Sequence, residues 1–268
     1  MPDTHWPESL RGDYAIAGAD YTVMQDLARY SAADHATWRL LAARQAALLP
    51  AHAARAYRDG LAALGAGDGV PDLAAARLAD GWRLVAVPGL IPEREFFSHL
   101  AERRFPVTVW IRRPEEIDYV VEPDIFHDFQ GHVPLLTQPD FAAFLARYGA
   151  AGRDAPEAHL PMLARLYWHM VEFGLIAEAG GLRAYGAGIL SSAAETVHAT
   201  TSTAPRRLHF DLARVLRSAY EIDQMQPTYF VIRDYAQLFQ ALDELPRALD
   251  AALPTIPAGA ADPSDKPF

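Results

Sequence analysis

Glu122-Pro-Asp-Ile-Phe-His-Asp-Phe-Gln-Gly-His132 sets two histidines, His127 and His132, five residues apart among acids, with Gly131 and Pro134 closing the stretch. On an ideal α-helix a separation of five turns two side chains about 140° apart, against about 40° for a separation of four. The imidazoles therefore converge only where the helix ends, tightens or bulges between them, and Gly131 and Pro134 suit an ending. The plainer alternative makes one a core histidine and the other a helix-end residue. Spacing alone leaves both open.

Forty residues on, Glu172 stands in Trp168-His-Met-Val-Glu-Phe-Gly174, in the middle of the most apolar helical stretch of the chain. A glutamate there is costly unless a cation or a hydrogen bond compensates it. A structural ion pair with an arginine is one compensation; a metal shared with the two histidines is the other. Two imidazoles and a carboxylate hold a mononuclear ferrous ion on one face and leave the opposite face open, which favours oxygen chemistry. His169, three residues before Glu172, raises a competing two-metal carboxylate site, but that site needs Glu-x-x-His on two helices. Here the order is reversed and occurs once, so His169 reads as a surface or supporting residue. A hydrolytic zinc site would call for His-Glu-x-x-His, and a serine hydrolase for Gly-x-Ser-x-Gly; neither is present. Two readings from other classes stay open: a zinc-bound hydrolytic or non-catalytic metalloprotein, and a helical interaction module without metal.

The 268 residues suit one large domain with a continuous core. A formal charge of −10, with arginines clustered only in pairs, argues against a nucleic-acid partner. The absence of cysteine excludes disulfides, thiolate metal sites and cysteine nucleophiles, so any metal must be held by nitrogen and oxygen. The N-terminus has no basic, apolar signal pattern, and no apolar run approaches the ~18 residues of a membrane span. The expectation is a cytoplasmic protein without a membrane partner.

The chain reads as mainly α with a few short β-strands, in a single domain over 1–268, with an arm over 1–20 and a loose tail from Pro254. Ser31 and Asp34 open a helix through Trp38, Leu40, Leu41 and Leu48 that Pro50 stops. An Ala-rich helix ends near Leu64, with Gly65 and Gly67 marking its exit, and a short one covers Asp72–Ala79. Strands are expected at Trp82–Val87, Val107–Ile111 and Thr228–Ile232. Helices are expected after Pro92, over the histidine motif, over Asp140–Tyr148, from about Leu160 to Glu178, and over 207–220 and 235–251. Leu182–Leu190 reads as a glycine-bearing hairpin.

Several segments, in the correct order, carry a resemblance. They are Pro88-Gly-Leu-Ile91 with Glu93-Arg-Glu-Phe-Phe97, Trp110-Ile-Arg112, the motif from Glu122 to Pro134, Tyr167 to Leu175, Tyr185-Gly-Ala-Gly-Ile-Leu-Ser-Ser192 and Gln226-Pro-Thr-Tyr229. The chain resembles the tetrahydropterin-dependent aromatic amino acid hydroxylases, most closely their short prokaryotic phenylalanine-hydroxylating branch. The resemblance implies a mainly helical catalytic domain with Fe(II) on His127, His132 and Glu172. It also implies tetrahydrobiopterin or a related reduced pterin, with O2, as cosubstrates, and conversion of L-phenylalanine to L-tyrosine; tryptophan and tyrosine are the alternative substrates within the family. It places pterin against Gly89, Leu90, Ile91 and Phe96. It places the amino acid against Arg112, Pro123, Trp168, Gly188 and Ser191, with Asp124 and Ser191 in supporting positions around the iron histidines and the substrate. Tyr167 and Glu195 lie near the site without an assigned role. Val120 departs from the threonine that commonly binds the substrate backbone in animal enzymes. With no regulatory domain and no heptad-bearing tail, a monomer is expected.

Overall fold

The computed structural model describes residues 10–65, 67–220 and 224–252. The start of the arm and the tail from Pro254 lie outside them. Helix α1 (Ala32–His52) opens with a capping box, in which Ser31 Oγ accepts from the Asp34 amide at 3.2 Å and Asp34 Oδ2 accepts from the Ser31 amide at 2.8 Å. Its buried stripe is Trp38, Leu41, Gln45 and Leu49, while Leu40 is 52 % exposed on the far side. Pro50 does not stop this helix. It lies in the last turn, where Ala53 N still reaches the Leu49 carbonyl at 3.0 Å.

Helix α2 (Arg55–Leu64) exits through Gly65 at φ +78°. Two 3-10 turns, Leu73–Ala75 and Ala79–Gly81, replace the single helix expected at Asp72–Ala79. Strand β1 (Arg83–Val87) pairs in parallel with β2 (Arg104–Thr108), and α3 (Glu93–Ala101) makes the crossover between them. β2 ends three residues earlier than the sequence suggests and frees Trp110 to Arg112 to turn inward. Helix α4 (Pro139–Asp154) packs against α3.

The long helix expected from Leu160 to Glu178 is shorter and composite. An α-helical part, α5 (Leu160–Tyr167), passes into a π-helical turn, Trp168–Glu172, and the chain then leaves as strand β3 (Leu175–Glu178). β3 forms a hairpin with β4 (Gly181–Ala184), so the expected Leu182–Leu190 hairpin is displaced towards the N-terminus. Its second half is the short helix α6 (Ala187–Leu190), followed by α7 (Ala193–Thr201). The helix expected over 207–220 is instead strand β5 (Arg206–His209) and the short helix α8 (Leu212–Val215). The alternation at Arg207, Leu208 and His209 satisfies a sheet edge better than a helix face. Strand β6 (Thr228–Ile232) completes a sheet of order β4-β3-β6-β5, and α9 (Tyr235–Ala252) closes the chain.

One apolar cluster joins Trp38 of α1 to Ala252 of α9 through the aromatic rings of α3, α4 and the histidine segment. Among the described residues no helix is long and apolar enough to cross a membrane.

Candidate metal centre

The histidine motif folds as a π-helical turn, Phe126–His132. Its i→i+5 closure stacks residue 132 over residue 127, so the five-residue spacing that an α-helix would splay apart becomes a converging pair. The imidazole centroids lie 5.2 Å apart. Packing holds the wide turn: Trp38 sets its edge on Phe126 and Phe129, and Gly131 lies so close to α6 that an added Cβ would sit 2.8 Å from the Ala187 carbonyl oxygen. Glu172 ends the second π-helical turn, where Phe173 N donates to the carbonyl of Trp168, five residues back, at 2.9 Å. The two widened turns face each other.

Glu172 spans both histidines: Oε1 is 3.1 Å from His132 Nε2, and Oε2 is 3.5 Å from His127 Nε2. Burial pushes the Glu172 carboxyl up, but the imidazoles of His132 and His127 more than offset this and hold it well below the usual carboxylate range. Burial likewise pushes His127 down, and Glu172 together with the Asp128 and Asp124 carboxylates reverses it. Glu172 Oε2 is buried with no hydrogen-bond donor. Two ring nitrogens and a carboxylate aimed at one point, with an orphaned oxygen among them, fit a divalent cation with open positions. Asp128 also brings an oxygen within 4.8 Å of ligand atoms of both histidines. Its Oδ2, however, accepts the Thr108 amide at 2.7 Å. Glu172, in contact with both Nε2 atoms, is the better third donor.

The supporting groups divide between the imidazoles and Arg112. Ser191 Oγ lies 2.9 Å from His127 Nδ1, placed to accept a hydrogen bond from Nδ1–H in the tautomer whose Nε2 lone pair is left for a metal. Asp124 meets the His127 backbone and Arg112 rather than an imidazole nitrogen. Fully buried, it takes Arg112 Nε and Nη2 at 2.8 Å each and the amides of Arg112 and His127 at 2.9 and 3.0 Å. Burial raises Asp124, and these donors bring it below its ordinary value. Among the described residues Arg112 Nη1 has no acceptor, so a buried guanidinium keeps one side free.

Gly188 faces Glu172, where an added Cβ would stand 2.9 Å from the Phe173 ring and 3.3 Å from Glu172 Oε2. Trp168 is stacked between Phe173 and Tyr220, at 5.9 and 5.0 Å between centroids. Pro123 is half-buried, one residue before Asp124. Phe96 is half-buried with its ring edge-on to Tyr167 at 5.2 Å, and Tyr167 stacks on His132 at 6.2 Å. Gly89, Leu90 and Ile91 form the loop after β1, and Tyr14 of the arm donates to the Leu90 carbonyl at 2.8 Å. Val120 lies half-buried, two residues before the buried Glu122. Glu195, on α7, accepts from the Tyr229 hydroxyl and the Gln226 amide, away from the imidazoles.

Sequence reasoning passed over Asp128, Glu122 and Tyr14. Asp128 sits beside His127 in the motif and could have been flagged as a buried acid. Tyr14 carries no local signal. His169 is not at the surface: it is 1 % exposed, with Nε2 3.2 Å from the Ser218 carbonyl.

The model of the biopterin-dependent aromatic amino acid hydroxylases matches residues 9–253. The chain belongs to this family. It is 51 % identical over 253 residues to the phenylalanine-4-hydroxylase of Ralstonia nicotianae, covering 92 % of this chain and 81 % of that one. It is 53 % identical over 228 residues to the phenylalanine-4-hydroxylase of Chromobacterium violaceum, covering 83 % and 77 %. A crystal structure of the latter with bound iron(III) and 7,8-dihydrobiopterin superposes at a TM-score of 0.89, with 50 % identity and 94 % of each chain covered. Its iron- and phenylalanine-bound structure gives 0.87 over 94 % of this chain and 96 % of that one. The mainly helical architecture is that of the family's solved structures.

Proposed function

We propose that the protein is a phenylalanine 4-monooxygenase, converting L-phenylalanine to L-tyrosine with O2 and a reduced pterin at an Fe(II) site on His127, His132 and Glu172. The observation that carries this is the Glu172 carboxylate set across both imidazole Nε2 atoms by two facing π-helical turns. Iron and reduced pterin together supply the activation of O2 from which one oxygen atom reaches the aromatic ring.

The protein's part is holding and shielding. Ser191 Oγ orients the His127 ring and, as acceptor of a hydrogen bond from Nδ1–H, leaves the Nε2 lone pair for the metal. Asp124 immobilises Arg112 in a bidentate pair, which points the remaining Nη1 at an incoming carboxylate without a reorganisation step. Trp168, Pro123 and Gly188 bound the ring, and the absence of a side chain at Gly188 leaves room beside Glu172. The half-buried face of Phe96 suits a flat heteroaromatic ring next to the Gly89–Ile91 backbone. Phe105, Tyr167 and Phe173 keep the centre apolar and limit water.

The experiment is to load the protein with iron, add reduced pterin and O2, and offer phenylalanine, tryptophan and tyrosine in turn. Tyrosine formed from phenylalanine in step with pterin oxidation is the expected result. Preference for another amino acid would move the protein within the family, and retained zinc without oxygen uptake would remove it from this chemistry. The whole chain acts as one catalytic unit in this reading, as a cytoplasmic monomer.

A further inference from the structure

A cavity of about 160 Å³ lies between α1 and the start of α7, and Arg112, Gln45, Arg44, Asp118 and Ser191 are among its lining residues. Gln45 is 2 % exposed. Its Nε2 donates to the Leu190 carbonyl at 2.6 Å, which fixes the amide orientation because only the nitrogen end can donate. Oε1 is then a buried acceptor with no donor. The two cations that line the cavity do not serve it: Arg112 is held by Asp124, and Arg44 by Asp118 at 2.6 Å. One wall therefore offers a guanidinium nitrogen without an acceptor, and another an oxygen without a donor.

A zwitterionic α-amino acid head group matches that pair, with its carboxylate on Arg112 and its ammonium on the oxygen. We propose that Gln45 Oε1 accepts from the substrate ammonium and is the residue that selects α-amino acids over amine-free aromatic acids. This rests on the amino acid hydroxylase reading above. Asp118 is the other acceptor on the wall, but its side chain is 78 % exposed and already paired, so solvent and Arg44 weaken its claim.

The test is calorimetric binding to the iron-loaded protein without pterin, comparing L-phenylalanine with 3-phenylpropanoate, which lacks the ammonium. The wild type is expected to prefer phenylalanine. Gln45→Leu should weaken phenylalanine about tenfold, as loss of a hydrogen bond to a charged group predicts, and change 3-phenylpropanoate less than about twofold on the same ground. Gln45→Glu keeps an oxygen acceptor and should keep the preference; it decides the matter if Gln45→Leu does not fold in a circular-dichroism melt. Unchanged phenylalanine binding in Gln45→Leu, equal loss of both ligands, loss of the preference in Gln45→Glu, or the main loss in Asp118→Asn would each overturn the proposal. A wild type that binds both ligands equally would overturn it and leave the substrate reading intact. A wild type that binds neither would remove both.

Discussion

Glu172 and His169 are three residues apart, and their environments drive them to opposite ends of titration. Glu172 keeps its charge because two imidazoles face it. His169 loses its charge because burial, with only the Ser218 and Ala219 backbone in opposition, lowers its pKa from 6.5 to about 4. Between those two values the unfolded chain takes up a proton that the native state refuses, so stability rises with pH across this window and is lost on acidification. The loss amounts to about 3 kcal/mol at most. Denaturant titrations at pH 7 and pH 4 should show the wild type losing about that much more than His169→Gln; parallel losses would show that His169 is not held neutral. Gly188 makes a steric prediction. A methyl group there meets Phe173 and Glu172, so Gly188→Ala should cost about 1–3 kcal/mol of stability and weaken iron binding, read by melting and metal titration. Arg112→Ala would strand Asp124 as an unpaired buried carboxylate, at about 3–5 kcal/mol. Arg112→Lys is therefore the better probe, and it should raise the KM for the amino acid much more than that for pterin. Equal effects on both KM values would remove the carboxylate role.

The two π-helical turns are the elements on which the site depends, and they mark the limit of what the sequence discloses. His127 and His132 at a separation of five announced that a regular α-helix could not hold both, and a bulge was one of three solutions. Only the packing of Trp38 and Ala187 against Phe126, Phe129 and Gly131 selects it. The capping box at Ser31, the exit at Gly65 and strand β6 were legible because each depends on local chemistry. The break after Glu172 was not. Leu175 continues the helical period of Leu163, Leu166 and Val171, yet its carbonyls and amides are claimed by the sheet with β4 and β6. Gln45 was hidden for the same reason, since a glutamine on a buried stripe signals nothing until its neighbours are placed. A wide turn kept by tertiary contacts should open more readily than α1. Amides of residues 126–132 and 168–173 should exchange faster than those of α1 in the metal-free protein and slow on iron binding; exchange indifferent to iron would mean that the turns are rigid without it.

In the molecule as a whole, two segments 45 residues apart in the chain meet at one centre, with α1 and α6 packed against the histidine turn. Leu40, Val197 and Phe239 are exposed on three different helices, and light scattering is expected to give the monomer mass of 29.5 kDa; a stable tetramer would contradict that expectation. The donor set itself is open to direct observation. Diffraction from iron-loaded crystals, recorded on both sides of the iron absorption edge, should show one anomalous peak bonded to His127 Nε2, His132 Nε2 and a Glu172 oxygen. A peak bound through Asp128 in place of Glu172, or no peak between the two π-helical turns, would contradict it.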